Sequence, residues 1–223
     1  MKRNEQSPGG TLPSSEREAQ MLWALNAAVA SLQKAAYSET AVYDAFGAQL
    51  QSLGLHGAIS MLSEERTQLV VKALVIPKNL HKTLRAAEKL LGVKGVGYRY
   101  SRATAVIDQH VIATGESLFL ANNSQKLEQV FPDTGFVRRQ AIRGFANLPA
   151  VVAPITLVGE NTGVLYMAGA LLQPEDVPII AAFANQISLA LQEAHLFQAL
   201  RHTEDQYRRL FETANDAILV VDA

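Results

Sequence analysis

Apolar side chains near the start of the chain recur at steps of three and four residues, the period of a helix with one buried face. The first stripe consists of Leu22, Leu25, Val29, Leu32 and Ala36. Ser15 and Glu18 precede it in capping-box spacing, so the helix is predicted to begin at Ser15. The second stripe consists of Val42, Phe46, Leu50 and Leu53. Gly54 follows it, where a left-handed C-cap favours glycine, and this predicts a second helix over residues 39–53.

After Gly54 the spacing of apolar residues no longer follows the helical period. Residues 57–62 and 68–75 are strand-like runs joined by a polar turn, which predicts an antiparallel hairpin. A helical insertion is predicted next, from a further stripe of Leu80, Leu84, Ala87 and Leu91. Residues 92–101 contain three glycines and two tyrosines and are predicted to be irregular.

Short elements are predicted in the middle of the chain: a helix over residues 105–115, a strand over 116–122, a helical turn over 126–132 and a helix over 135–145. Two apolar strands follow, over residues 150–158 and 163–171, split by residues 159–161. Glu160 is the only charged residue between residues 146 and 172. Strands this apolar are usually covered on both faces. We therefore predict a central antiparallel hairpin with helices or loops on either side.

The longest helix is predicted over residues 175–212, because no glycine or proline follows Pro178 there. At ~1.5 Å per residue it is about 55 Å long, whereas a domain of ~160 residues is about 30–35 Å across. The helix is therefore expected to extend beyond the domain. Its first half carries a seam of Ile180, Phe183, Ile187, Leu191 and Ala194. Two interpretations stay open: a parallel dimer stalk formed by this seam together with Leu22 and Leu25, or an amphipathic helix folded back onto its own domain.

Composition narrows the class of protein. The chain has 223 residues, 48% of them hydrophobic, and a formal net charge of -1, so no overall positive field draws it to nucleic acid or to an anionic membrane. No run of eighteen apolar residues is present, and residues 1–13 lack the apolar core of a signal peptide. We expect a flexible leader over residues 1–13 and a cytoplasmic protein with no membrane insertion.

Catalytic and metal-binding patterns are missing from the sequence. The five histidines show no metal-ligand spacing, and neither a P-loop nor a GxSxG motif occurs. His202 is followed by Thr203 and Glu204, which departs from the pattern around a phospho-accepting histidine. There is no cysteine, which excludes disulfides, a thiolate metal site and a thioether-linked chromophore. No catalytic or metal-binding residue is predicted.

Three motifs, "VIATGESLFLANN", "AVVAPITLVGENTGVLYMAG" and "DVPIIAAFANQISLALQEAHLF", follow one another in an order that resembles a GAF domain over residues 20–201. The insertion over residues 82–117 is similar to a subgroup found in large bacterial and archaeal sensor proteins. The resemblance implies an α/β (α+β) fold. Its central antiparallel sheet has five or six strands, with helices on one face and pocket-forming segments on the other, and a long C-terminal helix follows.

The resemblance also implies where a ligand would lie. In GAF domains it sits between one sheet face and the segments after the second strand. Here that implies the residues Tyr98, Tyr100, Ile107, His110, Phe119, Arg138 and Phe145. Rings and a few fixed polar groups suit a small molecule, and arginine suits an anion. The alternative is a ligand-free dimerisation or spacer module whose core is filled by these side chains. A covalent bilin needs cysteine and the N-K-F-D-E signature is absent, so neither a bilin nor a cyclic nucleotide is expected.

Residues 207–223 resemble the opening of a PAS domain, with a strand predicted over residues 217–221. A lone strand leaves its backbone unpaired, so its partners are expected beyond Ala223. The predicted organisation is a leader (1–13), a GAF domain (14–200), a helical linker (201–210) and a truncated PAS domain (211–223). By the same resemblance, a homodimer would pass a signal to PAS and output domains in the same chain. That output would be a histidine kinase of a two-component system, or alternatively a diguanylate cyclase or transcription regulator.

Overall fold

The structure, a computed structural model, describes residues 27–76, 81, 82, 85, 88, 89, 94–131 and 147–221. Its helices are α1 (residues 27–35), α2 (Glu39–Ser52), α3 (Val106–Thr114), α4 (Ser124–Val130) and α5 (Val177–Val221), and a 3-10 turn at Pro174–Asp176 precedes α5. Its strands are β1 (His56–Leu62), β2 (Gln68–Val75), β3 (Arg99–Ser101), β4 (Leu118–Leu120), β5 (Ala150–Leu157) and β6 (Glu160–Ala168).

The six strands form one antiparallel sheet in the order β3-β2-β1-β6-β5-β4. Helices α1, α2 and α5 cover one face, here called the terminal-helix face. Helices α3 and α4 lie against the other, here called the α3–α4 face. This architecture confirms the predicted fold class: a six-stranded antiparallel sheet with helices on one face, connecting segments on the other and a long C-terminal helix.

The terminal-helix face holds the larger apolar core. Phe46 of α2 stacks on Phe183 of α5 with ring centroids 6.4 Å apart. All five residues of the predicted seam lie on the inner side of α5 and are 0–2% exposed: Ile180, Phe183, Ile187, Leu191 and Ala194. Their side chains pack against the chain's own sheet and not on an outer surface. Along this half of α5 the structure therefore corrects the dimer-stalk interpretation: the stripe is a domain contact.

A β-bulge lets strand β2 serve both cores. Ser60 pairs with Val71 and Ile59 pairs with Ala73, so Lys72 is the additional residue in β2. The bulge reverses the alternation of side chains. Before it, Leu69 and Val71 face the α3–α4 side, and after it Ala73 and Val75 face the terminal helices. The exposed Lys72 marks the change of face.

The turn between the central strands is tighter than the sequence predicts. Strand β6 begins at Glu160 and not at residue 163, which leaves only Val158 and Gly159 between the strands. Both residues have positive φ, 53° and 79°, the conformation of the two-residue hairpin turns that match strand twist. Glycine adopts it freely, whereas a β-branched valine is strained there. Val158 is 81% exposed, so nothing buries that side chain.

Most element predictions before residue 131 are confirmed where the structure describes them. Ser38 caps α2 by accepting a hydrogen bond from the amide of Ala41 at 3.2 Å, and Gly54 after that helix has φ 64°. The β1–β2 hairpin, α3, β4 and α4 also form. Gly115 ends α3 at φ 74°. Glycine therefore ends these two helices where the sequence predicted, and the Ser38 cap fixes the start of α2.

Three predictions are wrong in detail. Residues 99–101, predicted irregular, form β3, because Leu69 and its neighbours on β2 offer them a free strand edge. Helix α1 ends at residue 35, so Ala36 lies in a turn, and its buried residues are Ala28, Leu32 and Ala35. The strand predicted over residues 217–221 is instead the end of α5. A helix satisfies its backbone hydrogen bonds within itself, which a strand without a partner does not.

Some predictions lie outside the described residues: the start at Ser15, the stripe positions Leu22 and Leu25, and the helix over 135–145 with Arg138 and Phe145. The apolar stripe of the insertion, Leu80, Leu84, Ala87 and Leu91, lies outside them as well. Residues 81, 82, 85, 88 and 89 of that insertion are helical, as predicted.

Candidate functional site

The α3–α4 face presents an apolar surface with aromatic side chains at one edge. Its buried apolar residues are Leu69, Val71, Tyr100, Ala105, Val111, Ile112, Val152 and Val164. Tyr98 stacks on Tyr100 with centroids 6.3 Å apart and lies 5.2 Å from the ring of Phe131. The Tyr98 hydroxyl donates to the carbonyl of Val130 at 3.1 Å, which ties this edge to the end of α4.

A buried polar group lies within this apolar surface. Asp108 of α3 is 0% exposed and Lys126 of α4 is 4% exposed. The Lys126 ammonium forms an ion pair with Asp108 Oδ2, and the Tyr100 hydroxyl donates to the same oxygen at 2.9 Å. The ammonium also lies 5.5 Å from the centroid of the Tyr100 ring. One carboxylate oxygen therefore holds a lysine and a tyrosine together, away from water.

Asn123 extends this group toward the centre of the sheet. It is 0% exposed, and its side-chain amide donates to the hydroxyl of Tyr166 on β6 at 2.8 Å. Asp108, Lys126, Tyr100, Asn123 and Tyr166 are called the polar cluster below. Two buried oxygens of the cluster, Asp108 Oδ1 and Asn123 Oδ1, have no hydrogen-bond partner among the described residues. Such atoms are rare in native proteins and call for an explanation.

The two tyrosines of the cluster are held neutral. Burial raises the pKa of Tyr100 well above its usual value, and the negative charge of Asp108 raises it further. Burial also raises the pKa of Tyr166, against a smaller opposing effect of the Asn123 hydrogen bond. Both phenols therefore keep their protons into the alkaline range, and Tyr100 serves as a hydrogen-bond donor to Asp108.

The structure brings together only part of the site predicted from the sequence. Tyr98, Tyr100 and Ile107 share the α3–α4 face. His110 is exposed on the outer side of α3. Phe119 packs against the core of the terminal-helix face, because alternation along β4 turns it away from Leu118 and Leu120. Arg138 and Phe145 lie outside the described residues.

Sequence reasoning missed Asp108, Lys126, Asn123 and Tyr166. One signal was available: Asp108 is the single charged residue in the apolar helix "AVIDQHVIATG", three residues before the buried Val111. A carboxylate on the inner face of a helix needs a buried partner. The lysine that provides it is eighteen positions later, at a distance that no local pattern encodes.

A second concave region lies beside helix α2, which covers the terminal-helix face. It is an open groove of about 660 Å³ between α2 and β2. Its lining includes Glu39, Tyr43, Asp44, Lys72 and Val96. None of the described polar residues that line the groove is buried, whereas those of the polar cluster include Asp108 and Asn123 at 0% exposed, so the polar cluster is the stronger candidate site.

A chain of hydrogen bonds runs from α3 to α5 around the β5–β6 hairpin. The Asn161 amide donates to the carbonyl of Ile112 at 3.0 Å, and the Thr156 hydroxyl donates to Asn161 Oδ1 at 2.9 Å. The Thr156 amide donates to the Ser188 hydroxyl at 3.0 Å, and that hydroxyl donates to the carbonyl of Ala184. Helices on opposite faces of the sheet are therefore linked through polar contacts.

Neither a metal-binding cluster nor a helix able to span a membrane is present in the described part of the chain. It contains no group of three or more acidic, histidine or cysteine side chains placed to hold a metal ion. Within the same residues, no helix combines the length and apolar character needed to cross a membrane.

No protein-family model matches the sequence, and no curated protein matches it either. Solved structures do match its fold. A methyl-accepting chemotaxis protein (residues 122 to 287) is 20% identical, with a TM-score of 0.56, over 78% of this chain and 98% of that chain. The GAF domain of A. aeolicus nlh2 in an inactive state is 17% identical, with a TM-score of 0.53, over 81% of this chain and 99% of that one.

The GAF domain of a phosphoenolpyruvate-protein phosphotransferase from Coxiella burnetii is 15% identical, with a TM-score of 0.55, over 84% of this chain and 99% of that one. Each of these structures is covered almost completely, so the similarity extends over whole domains. At such identities it concerns the fold and not the activity. The sheet order, the two covered faces and these neighbours together show that the chain has the GAF fold.

Proposed function

We propose that the chain is a sensory domain of a signal-transduction protein, which binds a small molecule on the α3–α4 face. The observation that carries the proposal is the polar cluster: a buried carboxylate, ammonium and carboxamide set in an apolar, aromatic-edged surface. Small-molecule sites combine an apolar lining with a few fixed polar groups in this way. The GAF fold agrees with the proposal by analogy only.

Helix α5 is the element suited to carry the signal. It packs on the sheet up to Ala194, and its residues from 196 to 212 are exposed. The hydrogen bonds from Ile112 through Asn161 and Thr156 to Ser188 connect α3 with the packed half of α5. A ligand that prefers one position of α3 would bias α5 by its difference in affinity for the two states.

We further propose that the exposed half of α5 pairs with a second copy of the chain. Leu196, Leu200, Tyr207 and Leu210 are 60–67% exposed, and with Thr203 between them they follow the alternating four- and three-residue steps of a coiled-coil seam. This outer stripe takes the role that the sequence assigned to the inner stripe. We also propose that a PAS domain and an output domain follow in the same chain, and that the protein is cytoplasmic. The output would be a histidine kinase, or alternatively a diguanylate cyclase or a transcription regulator.

A ligand-free spacer is the second candidate, and one observation favours it. Lys126 already neutralises Asp108, and Tyr98, Tyr100 and Phe131 pack on one another. A closed core of this kind needs no ligand. The two candidates differ in what accompanies the purified protein.

Mass spectrometry of the purified chain under native and denaturing conditions tests the ligand. A mass excess of a few hundred daltons that disappears on unfolding supports the sensory proposal. A native mass equal to that of the bare chain, in protein purified without denaturant, favours the spacer.

The dimer is tested by light scattering of the wild type and two charge variants. Leu200→Arg places a cation in the seam, whereas the matched variant Gln198→Arg places it two residues away on the outer side of the helix. Dimers in the wild type and in Gln198→Arg, with monomers in Leu200→Arg, are expected. A monomeric wild type would contradict the stalk.

A further inference from the structure

We propose that the ligand of the α3–α4 face carries a positively charged nitrogen with N–H donors, such as an ammonium, guanidinium or amidine group, and that it binds at Asp108 Oδ1. The inference rests on the proposed sensory function and names the chemistry of the molecule that the site would take.

The unpaired atoms of the cluster require that the group which binds there donates hydrogen bonds. Asp108 Oδ1 and Asn123 Oδ1 are both acceptors, and both are buried without a partner among the described residues. A buried acceptor left unpaired is unfavourable, and a hydrogen-bond donor relieves it. A carboxylate or phosphate would add further acceptors, so it does not fit these two atoms.

The charge of the cluster agrees with this assignment. Asp108 is completely buried, and its Oδ2 is already occupied by Lys126 and Tyr100. An ionised carboxylate has about four acceptor positions, so Oδ1 is free to accept a charge-assisted hydrogen bond. Lys126 is the one cation among the described cluster residues, and its charge is compensated. An anionic ligand would therefore have to separate a buried ion pair.

The aromatic edge offers a surface for the rest of a cationic ligand. The Lys126 ammonium already lies over the Tyr100 ring at 5.5 Å, which shows that the ring accepts a cation on its face. Tyr98 and Phe131 continue this edge beside it. A buried ion pair contributes little net stability. Stability alone therefore does not account for Asp108 and Lys126 in this apolar surface.

Calorimetric titration of the full chain with size-matched probes tests the charge preference. Benzamidine is compared with benzoate, and putrescine with succinate. Binding of a cationic probe at micromolar to low millimolar concentration, with no binding of its anionic partner, is expected. Binding of the anions instead, or of none of the four probes, would overturn the inference.

Two variants locate the binding. Asp108→Asn preserves the shape of the side chain and should weaken cation binding at least tenfold, whereas the exposed Asp44→Asn should leave it unchanged. Asn123→Asp adds a negative charge and should strengthen it, which keeps the test decisive if Asp108→Asn does not fold. Unchanged affinity in a folded variant of either residue would overturn the assignment.

The chemistry and the sensory role fail separately. A molecule that co-purifies with the chain and contains no basic nitrogen would overturn this inference and leave the sensory proposal standing. If no molecule co-purifies but cation binding depends on Asp108, the sensory proposal is overturned and this inference stands.

Discussion

The two faces of the sheet are filled in opposite ways. Of the twelve largest completely buried side chains among the described residues, all except Leu69 belong to the terminal-helix face. The α3–α4 face instead buries a charged pair, Asp108 and Lys126, together with Asn123 beside smaller apolar residues, whereas the buried polar residues on the side of α5 are Asp176 and Ser188. Close packing of large aliphatic and aromatic side chains stabilises a fold, whereas buried polar groups contribute little net stability and give chemical specificity. Under the proposed function, the terminal-helix face stabilises the fold and the α3–α4 face binds the ligand.

Truncation of the terminal-helix core should have the largest effect on stability. Phe183→Ala removes a 2% exposed ring stacked on Phe46, so we expect the free energy of unfolding to fall by about 3–5 kcal/mol. Gln198→Ala, on the same helix but exposed and outside the outer stripe, should change it by less than about 0.5 kcal/mol. Urea denaturation measures both. Equal losses in the two variants would show that α5 does not pack as described.

The ion pair of the other face should respond differently to single and double replacement. Lys126→Met leaves the buried Asp108 carboxylate without its cation and should cost about 3–5 kcal/mol. Replacing both residues, Asp108→Leu with Lys126→Met, should restore stability to within about 1 kcal/mol of the wild type. Urea denaturation again provides the measurement. A double variant as unstable as the single one would mean that this face also depends on its polar groups for stability.

Alkaline pH should destabilise the α3–α4 face through its tyrosines. Burial raises the pKa of Tyr100 and of Tyr166 above the unfolded value of about 10. The stabilisation they provide is therefore complete below about pH 10 and is lost as the pH rises above it. Each tyrosine contributes up to about 1.4 kcal/mol per pH unit there. Chemical denaturation from pH 9 to 11 should show a steeper loss in the wild type than in Tyr166→Phe; parallel profiles would contradict this.

The polar connection between the faces should have the smallest effect on stability. Asn161→Ala removes the bonds to the Ile112 carbonyl and the Thr156 hydroxyl, so we expect a loss of about 1–2 kcal/mol. It should also speed amide exchange at the end of α3 and in α5 near Ser188. The exposed Asn122→Ala is the matched control. Faster exchange in α3 alone would show that the connection does not reach α5.

The sequence predicted the scaffold better than the site. Local rules end α2 before Gly54, end α3 at Gly115 and pair β1 with β2, because periodicity and C-terminal glycines are encoded within each segment. Strand β3 was not predicted because three residues are too few to show alternation. All three residues of β4 are apolar, so the sequence did not indicate that Phe119 faces away from the predicted pocket.

The polar cluster could not be predicted because its members meet only in the folded chain. Asp108 and Lys126 are on separate helices, and Tyr166 joins them from the central strand β6. The position of the seam on α5 was ambiguous for a related reason. Steps of three and four residues describe both the stripe through Ile187 and the stripe through Leu200, and only the position of the sheet decides which one is covered.

Hydrogen exchange before and after removal of any bound molecule tests the division between the faces most directly. The chain is measured as purified, and again after unfolding, dialysis and refolding. We predict faster exchange in α3, α4 and β3 of the refolded sample, a smaller change in α5 near Ser188, and no change in α2 or in β1. Identical exchange in the two samples, or a change confined to α2 and the inner half of α5, would contradict a ligand-binding α3–α4 face.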